Sequence, residues 1–349
     1  MRAAVLYAPG DLRLIDIPKP SPGVGEVLLR IEEVGICASD VHWFRDGRIG
    51  DQLLEKPTIL GHEFSAVVAE VGPGVKRVKV GDRVAVEPAN WCFQCDMCAS
   101  EDFNLCRNIK FAGTSPIDGA FREFAVWPEH FMEKIPDHMT LGEAAMLEPL
   151  GVGMYAVDLA GDIRGKDVVI LGSGAVGLSV LQCALSAGAG KVYVTDLIDT
   201  RLELARKLGA DKTFDATDPD IMQSIILANG GNEPAVVFEA AGENDAVQMA
   251  TELVRPGGNV VIIGIPYDDN MVVSAGTVRR KGLRLQMVRR SNKTLRRCVQ
   301  LVSGGKADVA SYITHRFPLD RISEAFQIAG ERRDGAIRVL IQLTQPRHV

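Results

Sequence analysis

The run VVILGSGAVGLSVLQCALSAGAG, residues Val168–Gly190, decides the fold class. Its first residues are apolar and mostly β-branched, which is typical of a buried strand. Gly172, Gly174 and Gly177 then fit the pattern G-x-G-x-x-G, and the apolar residues after them favour a helix. A strand, a glycine-rich turn and a helix in this order open a βαβ unit, so the run predicts a parallel sheet covered by helices.

The same run has no charged residue and is long enough to cross a bilayer. Its glycines interrupt the apolar pattern, and its composition changes from strand-like to helix-like along the run. Both features favour a buried strand–turn–helix over a membrane span. We therefore expect no association with a membrane.

The glycine motif predicts a dinucleotide site. Gly172 permits the tight turn, Gly174 lets a pyrophosphate approach the backbone, and Gly177 lets the helix pack against the strand. Ala175 and Val176 open the helix, where free backbone amides face the phosphates. The alternative is a structural βαβ unit without a ligand.

The residue that ends the next strand-like run, KVYVTD, indicates which dinucleotide binds. Asp196 follows Gly177 by nineteen residues, the spacing at which a carboxylate accepts hydrogen bonds from the adenosine ribose. A carboxylate there would repel a 2′-phosphate, so the motif favours NAD over NADP. Arg201 is a counter-signal, for which a cofactor contact and a solvated helix position both remain open. Further candidate cofactor residues, after the strand-like run NVVIIG, are Gly264 and Ile265.

The rest of the chain divides by its pattern of strands and helices. Residues 1–150 show short strand-like runs such as EVLLRIEEVG and DRVAVEP between turn signals, which predicts a β-rich, partly barrel-like domain. Residues 151–288 alternate strand-like and helix-like runs, which predicts βαβ units. Residues 289–349 contain the helix-like runs LRRCVQLVSGG and ISEAFQIAGE and the strand-like runs ITHRFPL and IRVLIQL.

Composition bounds the class of protein. The 349 residues are 46% hydrophobic and 24% charged, which is typical of a globular chain, and the length predicts two domains, with three also open. The net charge of -6 gives no electrostatic footprint for nucleic acid. The first residues lack the apolar core of a signal peptide, so we expect a cytoplasmic protein with reduced thiols.

Four of the seven cysteines lie in WCFQCDMCASEDFNLC, Trp91–Cys106, with the spacing C-x2-C-x2-C-x7-C. Four thiolates close a tetrahedron around zinc and leave no position for water, so the pattern predicts a structural zinc site. Free thiols, a redox disulfide and an iron–sulfur cluster remain alternatives. A zinc module that binds nucleic acid is opposed by the acidic charge balance. The four residues are Cys92, Cys95, Cys98 and Cys106.

Other metal-ligand residue types are scattered along the chain. Cys37 lies in GICASD, His62 and Glu63 lie in LGHEF, and Glu148 lies in MLEPLGVG. A catalytic zinc takes about three protein ligands and keeps one position open. Spacing alone does not assemble these residues, because a lone cysteine is usually a small buried hydrophobe.

Several motifs occur together in one order: GICASDVHWF, LGHEFSAVVAEVGPGV, VGDRVAVEP, the cysteine loop, the glycine motif and THRFPL. In this order the chain resembles, over nearly its whole length, a zinc-containing medium-chain alcohol dehydrogenase. EPL and SPIDG resemble the polyol branch, which contains the sorbitol and xylitol dehydrogenases. The resemblance implies an α/β protein with a GroES-like catalytic domain, residues 1–150 and 289–349, and an inserted Rossmann NAD-binding domain, residues 151–288. It also implies a homo-oligomer, a dimer or a tetramer, with the cysteine loop near subunit contacts.

The resemblance also assigns roles to single residues. Those that match ligands of a catalytic zinc are Cys37, His62, Glu63 and Glu148, the last binding directly or through water. Those that match a relay carrying the alcohol proton to solvent are Ser39 and His42. Those that match the lining of the substrate pocket are Trp43, Phe111, Glu148 and Arg289.

The chain departs from the family pattern at a few positions. Ala38 stands where glycine is usual, and Gly151 stands where serine is common. Trp43 and Arg290 each replace a residue that is often tyrosine. The resemblance therefore implies a pocket of altered chemistry.

The activity implied is zinc- and NAD-dependent oxidation of a secondary alcohol, with a sugar alcohol as the favoured substrate and a ketose as the product. Zinc would act as a Lewis acid on the hydroxyl, and nicotinamide would accept the hydride. A butanediol or threonine dehydrogenase is the alternative, and Ser39 weakens the threonine reading because that branch usually has threonine there. A non-catalytic NAD-binding protein is the remaining alternative.

Overall fold

A computed structural model of the protein describes residues 1–266 and 270–344. The chain forms two compact units. The first contains the described residues of Met1–Glu148, Leu295–Ser303 and Val309–Val349, and the second contains those of Pro149–Thr294 and Gly304–Asp308. Residues 289–294, which the sequence analysis assigned to the catalytic part, thus belong to the second unit together with residues 304–308.

Strands dominate the first unit and form the centre of the second. In chain order the strands are β1 Arg2–Ala8, β2 Asp11–Asp16, β3 Glu26–Gly35, β4 Arg48–Ile49, β5 Gln52–Leu53, β6 Thr58–Ile59, β7 Glu63–Val71, β8 Arg83–Val86, β9 Ala89–Asn90, β10 Lys110–Phe111, β11 Phe124–Pro128, β12 Met132–Lys134, β13 Val168–Leu171, β14 Val192–Asp196, β15 Lys212–Asp215, β16 Val236–Glu239, β17 Asn259–Ile262, β18 Arg284–Met287, β19 Ile313–Pro318 and β20 Arg338–Gln342. The helices are α1 Ala38–Asp46, α2 Asp96–Ala99, α3 Leu141–Ala145, α4 Leu147–Ala160, α5 Ala175–Ser186, α6 Asp199–Lys207, α7 Ile221–Ala228, α8 Asn244–Leu253, α9 Ala275–Lys281, α10 Leu295–Ser303 and α11 Ile322–Glu331.

The first unit is built around a sheet with the order β12-β8-β7-β3-β20-β19, in which β11 also pairs with β3. β3 pairs antiparallel with β7 and with β20, so it lies between them. A smaller sheet has the order β2-β1-β6. The apolar side chains of these strands share one core, which confirms the predicted β-rich region. The end of β3, the start of β7 and the start of β20 lie side by side at the same end of the larger sheet.

The second unit has a parallel sheet with the order β15-β14-β13-β16-β17-β18. All residues of β13 are buried, as expected of a strand in a parallel sheet. The chain proceeds from β13 outward through β14 and β15 and then returns to add β16 on the other side of β13. This reversal is a topological switch point, where open α/β sheets bind their ligands. The parallel sheet predicted from the glycine motif is confirmed.

The long uncharged run forms β13, a turn and α5. In the two described ranges, 1–266 and 270–344, the helices do not reach the combination of length and apolar character that a membrane crossing requires.

Candidate functional site

Three potential metal ligands converge in the first unit. The ligand atoms of Cys37, His62 and Glu63 all lie within 4.8 Å of one another. Cys37 precedes α1, whose positive N-terminal end favours an anion at that place. Glu63 begins β7 and pairs with Gly35, the last residue of β3. The sheet register therefore brings together residues that are distant in sequence.

The carboxylate of Glu63 lies in space that a glycine provides. A Cβ atom at Gly35 would lie 2.2 Å from Oε2 of Glu63. Glu63 is fully buried, and neither of its carboxylate oxygens accepts a hydrogen bond from any described residue. A buried carboxylate without hydrogen bonds is costly, and a cation would satisfy its lone pairs. Sulfur, imidazole and carboxylate together form a donor set that suits zinc.

The fully buried Asp40 orients the imidazole of His62. Its oxygens accept hydrogen bonds from the N–H groups of Cys37 at 2.9 Å and Gly61 at 3.1 Å, and Oδ1 lies 3.5 Å from Nδ1 of His62. This arrangement turns Nδ1 to the carboxylate and leaves Nε2 as the ligand atom. Burial alone would lower the pKa of His62, but Asp40 and Cys37 raise that pKa well above its usual value. A metal must therefore displace a firmly held proton.

Arg338 on β20 completes this cluster, and sequence reasoning missed it. The side chain is buried, its Nη1 donates to the carbonyl of Ile36 at 2.7 Å, and its Nη2 lies 3.2 Å from Oε1 of Glu63. Burial opposes its charge, but Glu63, Cys37 and Glu148 outweigh burial and raise the pKa of the guanidinium. The available signal was an arginine in the otherwise apolar strand IRVLIQL, since a buried arginine requires a partner.

Glu148 lies outside the set of three ligands. Burial is the main cause that raises the pKa of its carboxyl to about 8, with the negative charges of Glu63 and Glu87 adding to it, while His62 acts in the opposite direction. The metal-free site therefore holds this carboxyl protonated at neutral pH. A protonated carboxyl can donate a hydrogen bond, which Glu63 as a carboxylate cannot do.

The other residues expected at the active site have varied surroundings. The ring of Phe111 lies 5.3 Å from that of His62, between centroids. Nδ1 of His42 lies 3.5 Å from Oδ2 of Asp46. Trp43 is only 1% exposed and packs within the apolar core, although we expected it to line the substrate pocket. The remaining two are Ser39, which is partly buried, and Arg289, which is exposed in the second unit.

The four clustered cysteines form a second metal-ligand set. Their sulfurs lie within 4.8 Å of one another, and none of the cysteines in the described ranges forms a disulfide. Sγ of Cys98 lies 3.6 Å from Sγ of Cys95 and 4.0 Å from Sγ of Cys92, and Sγ of Cys95 lies 3.9 Å from Sγ of Cys106. A tetrahedral zinc with Zn–S bonds of about 2.3 Å requires sulfur separations of about 3.8 Å. The cluster therefore fits a closed, four-sulfur zinc site.

The surrounding loop gives the thiols of these cysteines different pKa values. The N–H of Gln94 and the side chain of Asn108 lower the pKa of the Cys92 thiol to about 6, whereas burial raises that of Cys98 to about 12. Asp96 accepts two hydrogen bonds of 2.6 Å from Arg107, which ties the two ends of the loop together. A bound dication would favour the thiolate form of all four cysteines.

In the second unit the three glycines of the motif have different structural surroundings. Gly172 has φ +97°, and a Cβ there would lie 2.9 Å from the amide of Ala241. A Cβ at Gly177 would lie 1.9 Å from the carbonyl of Gly172, so only glycine lets α5 approach β13. At Gly174 the space is open, with Nη1 of Arg201 at 3.8 Å as the nearest neighbour. That opening fits a pyrophosphate at the N-terminus of α5, with an arginine beside it.

Asp196, at the end of β14, is held by the motif itself. Its Oδ2 accepts from the N–H of Ser173 at 2.7 Å and from the hydroxyl of Ser173 at 3.0 Å, and its Oδ1 accepts from the N–H of Ile198 at 3.0 Å. Sequence reasoning missed Ser173, because x positions of the motif carry no signal of their own. Gly264 and Ile265 follow β17, and Ile265 is 51% exposed.

Comparison with known families agrees with both units. The alcohol dehydrogenase GroES-like domain model matches residues 23–137, and the zinc-binding dehydrogenase model matches residues 175–304. The sorbitol dehydrogenase of Bacillus subtilis (strain 168) is 33% identical, covering 98% of this chain and 97% of the relative. The sorbitol dehydrogenase of Homo sapiens is 37% identical, covering 93% and 91%.

Solved structures give the same result. An oxidoreductase of unknown specificity from Escherichia coli has a TM-score of 0.94 at 32% identity, covering 99% of each chain. An alcohol dehydrogenase from E. coli CFT073 in complex with NADH has a TM-score of 0.91 at 28% identity, covering 98% of this chain and 99% of the other. A zinc-binding dehydrogenase from Sinorhizobium meliloti 1021 bound to NADP has a TM-score of 0.90 at 30% identity, with the same coverage.

The protein is therefore an oxidoreductase of the alcohol and polyol class that uses zinc and a nicotinamide cofactor. It belongs to the zinc-containing medium-chain alcohol dehydrogenase superfamily, in the polyol branch. The expected combination of a GroES-like part and a Rossmann part is confirmed.

We expect a Cys95→Ser variant to lose the zinc of the four-sulfur set and to melt at a lower temperature, because a tetrahedral site with three thiolates binds zinc more weakly. Zinc content should fall by half, since one of the two ligand sets is lost. Metal analysis and thermal unfolding test this. Cys183→Ala, a buried thiol outside both sets, is the control and should keep its full zinc content. Unchanged zinc content in Cys95→Ser would reject the four-sulfur site.

We expect an Arg338→Met variant to lose about 3–5 kcal/mol of unfolding free energy, because Glu63 would be left as an uncompensated buried charge. Adding Glu63→Gln to that variant should restore most of the loss, since both charges are then gone. Urea unfolding in the presence of a chelator measures both. Arg13→Met, which breaks an exposed ion pair with Asp11, is the control and should change little. A double variant as unstable as the single one would contradict the pairing.

Proposed function

We propose that the protein oxidises a secondary hydroxyl of a sugar alcohol, of the sorbitol or xylitol type, to the ketose, with NAD as the hydride acceptor. The observation that carries this proposal is the convergence of Cys37, His62 and Glu63, with a second carboxyl group nearby at Glu148. Two relatives of similar length, at 33% and 37% identity, are sorbitol dehydrogenases, which supports the substrate class.

In this proposal Cys37, His62 and Glu63 hold the catalytic zinc, and Asp40 and Arg338 hold those ligands in place. When bound, zinc supplies a Lewis acid that lowers the pKa of a substrate hydroxyl. Three protein ligands leave a tetrahedral position for that hydroxyl. Phe111 packs against the His62 ring and gives this side of the site an apolar wall.

The remaining polar residues would bind the polyol and remove its proton. Glu148 can hydrogen-bond to a second hydroxyl of the substrate, as a donor when its carboxyl is protonated and as an acceptor when it is ionised. A simple alcohol would leave that carboxyl group unpaired, which favours polyols. Ser39 and His42 on α1 would carry the alcohol proton away.

The remaining assignments are proposals that follow from the same reading. The first unit would be the catalytic domain and the second unit the NAD-binding domain. Asp196 would accept hydrogen bonds from the ribose and disfavour a 2′-phosphate, which supports NAD over NADP. A cytoplasmic location and a homo-oligomer of two or four chains stay predictions from the sequence.

We expect NADH formation from NAD with a sugar alcohol such as sorbitol or xylitol, and little with simple alcohols. Cys37→Ala should reduce turnover to background while NADH still binds, because the metal set loses its sulfur. Cys183→Ala is the matched control and should keep turnover. An absorbance assay over polyols, 2,3-butanediol, threonine and ethanol measures this. Faster turnover of butanediol or threonine than of any polyol would overturn the substrate class.

We expect Asp196→Ala to lower the ratio of kcat/KM for NAD to that for NADP by about ten-fold or more, since ribose hydrogen bonds are lost and the repulsion of a 2′-phosphate is relieved. Initial rates with each cofactor measure the ratio. Glu203→Ala, an exposed acid on α6, is the control and should leave the ratio unchanged. A wild-type enzyme that prefers NADP would contradict the role of Asp196.

A further inference from the structure

The sheet topology divides a bound dinucleotide into two halves. This inference rests on the proposed function, in which the cofactor binds across the switch point between β13 and β16. Asp196 at the end of β14 takes the adenosine ribose, and the turn after β13 takes the phosphates. The nicotinamide half must then lie over the loops that follow β16 and β17. These loops need a fixed shape, because hydride transfer depends on the placement of the ring.

Glu239, the last residue of β16, lies at the centre of these loops. It is fully buried, and its Oε1 accepts hydrogen bonds from the N–H groups of Ala241 at 2.8 Å and Gly242 at 2.7 Å. Its own carbonyl accepts from the N–H groups of Ile263 at 2.8 Å and Gly264 at 3.2 Å. The side chain of Glu239 thus binds the loop after β16, and its main-chain carbonyl binds the loop after β17.

The two loops also touch each other where Glu239 lies. A Cβ atom at Gly264 would lie 2.2 Å from the amide of Gly242 and 2.7 Å from Oε2 of Glu239. Gly242 has φ +77°, and a Cβ there would lie 2.9 Å from the carbonyl of Ile265. The backbones therefore interlock with almost no free space, so a movement of the Glu239 side chain would move both loops.

Burial gives the carboxyl group at this place an energetic cost. Oε2 of Glu239 makes no hydrogen bond of ordinary geometry to any part of the chain that the structure describes. Burial raises the pKa of this carboxyl, although the N–H groups of Gly242 and Ala241 act in the opposite direction. Buried acids of this kind cluster at functional sites.

We propose that Glu239 is a positioning residue, which holds residues 240–242 and 263–265 in the shape that receives the nicotinamide half of the cofactor. In the proposed function the adenosine ribose binds at Asp196 on β14, whereas Glu239 ends β16 on the other side of β13. Loss of Glu239 therefore affects the two halves of the cofactor unequally. A residue with a merely structural role would affect both halves alike.

The test compares a complete cofactor with a fragment that lacks nicotinamide. We expect Glu239→Ala to bind NADH about ten-fold more weakly, because two buried N–H groups lose their acceptor, while ADP-ribose binds as in the wild type. Glu239→Gln keeps an acceptor oxygen for these N–H groups and should bind NADH within about three-fold of the wild type. Calorimetric titration of the full-length enzyme with each compound gives both constants.

Asp196→Ala provides the mirror control, because it should weaken ADP-ribose and NADH together. If Glu239→Ala does not fold, Glu239→Asp retracts the carboxylate by one methylene and should show the same selective loss of NADH. Equal weakening of NADH and ADP-ribose, unchanged NADH binding in Glu239→Ala, or a Glu239→Gln variant as weak as Glu239→Ala would each overturn the proposal. A wild-type enzyme that does not bind NADH would overturn the proposed function as well.

Discussion

The first unit is organised around one cluster of buried charged groups. Without a metal, a protonated His62 and Arg338 face the fully buried carboxylates of Asp40 and Glu63. In the form that binds a metal, His62 is neutral and Cys37 is a thiolate, so three negative charges face one positive charge on Arg338. Buried ions are tolerated only when they are paired, so the cluster lacks two positive charges. A divalent ion supplies that difference. The register of β3, β7 and β20 brings the charged groups on these strands close together.

Two nearby glutamates differ in their surroundings. Glu63 lies 3.2 Å from Arg338, whereas burial is the main cause that raises the pKa of Glu148, whose charged neighbours act in both directions. Together, burial and the neighbouring carboxylates raise the pKa of Glu148 to about 8. The environment thus gives the two carboxyl groups different properties, and enzymes use such differences to assign two carboxyl groups to two roles. The type of residue alone does not carry this distinction.

The sequence predicted those features that neighbouring residues determine. The glycine motif and the four-cysteine loop are local, so spacing predicted both a parallel sheet and a closed sulfur set. Cys37 and His62 needed the family resemblance, because only sheet register joins them. The arginine in the apolar run IRVLIQL signalled a buried charge at Arg338, but its partners could not be predicted, since Arg338 meets Ile36 across 302 residues of sequence. Trp43 shows the opposite limit: a motif position suggested a pocket, but packing places the ring in the core.

In the second unit, two strands of the parallel sheet each end in a carboxylate. Asp196 ends β14 and Glu239 ends β16, and each carboxylate accepts backbone N–H groups from the loops beside it. They differ in access, since Asp196 keeps some exposure and Glu239 has none. A carboxylate that retains access can still bind a ribose, whereas an enclosed one acts only through the backbone that it holds. Parallel strands align their carboxyl ends, so the same end of one sheet accommodates both an accessible carboxylate and an enclosed one.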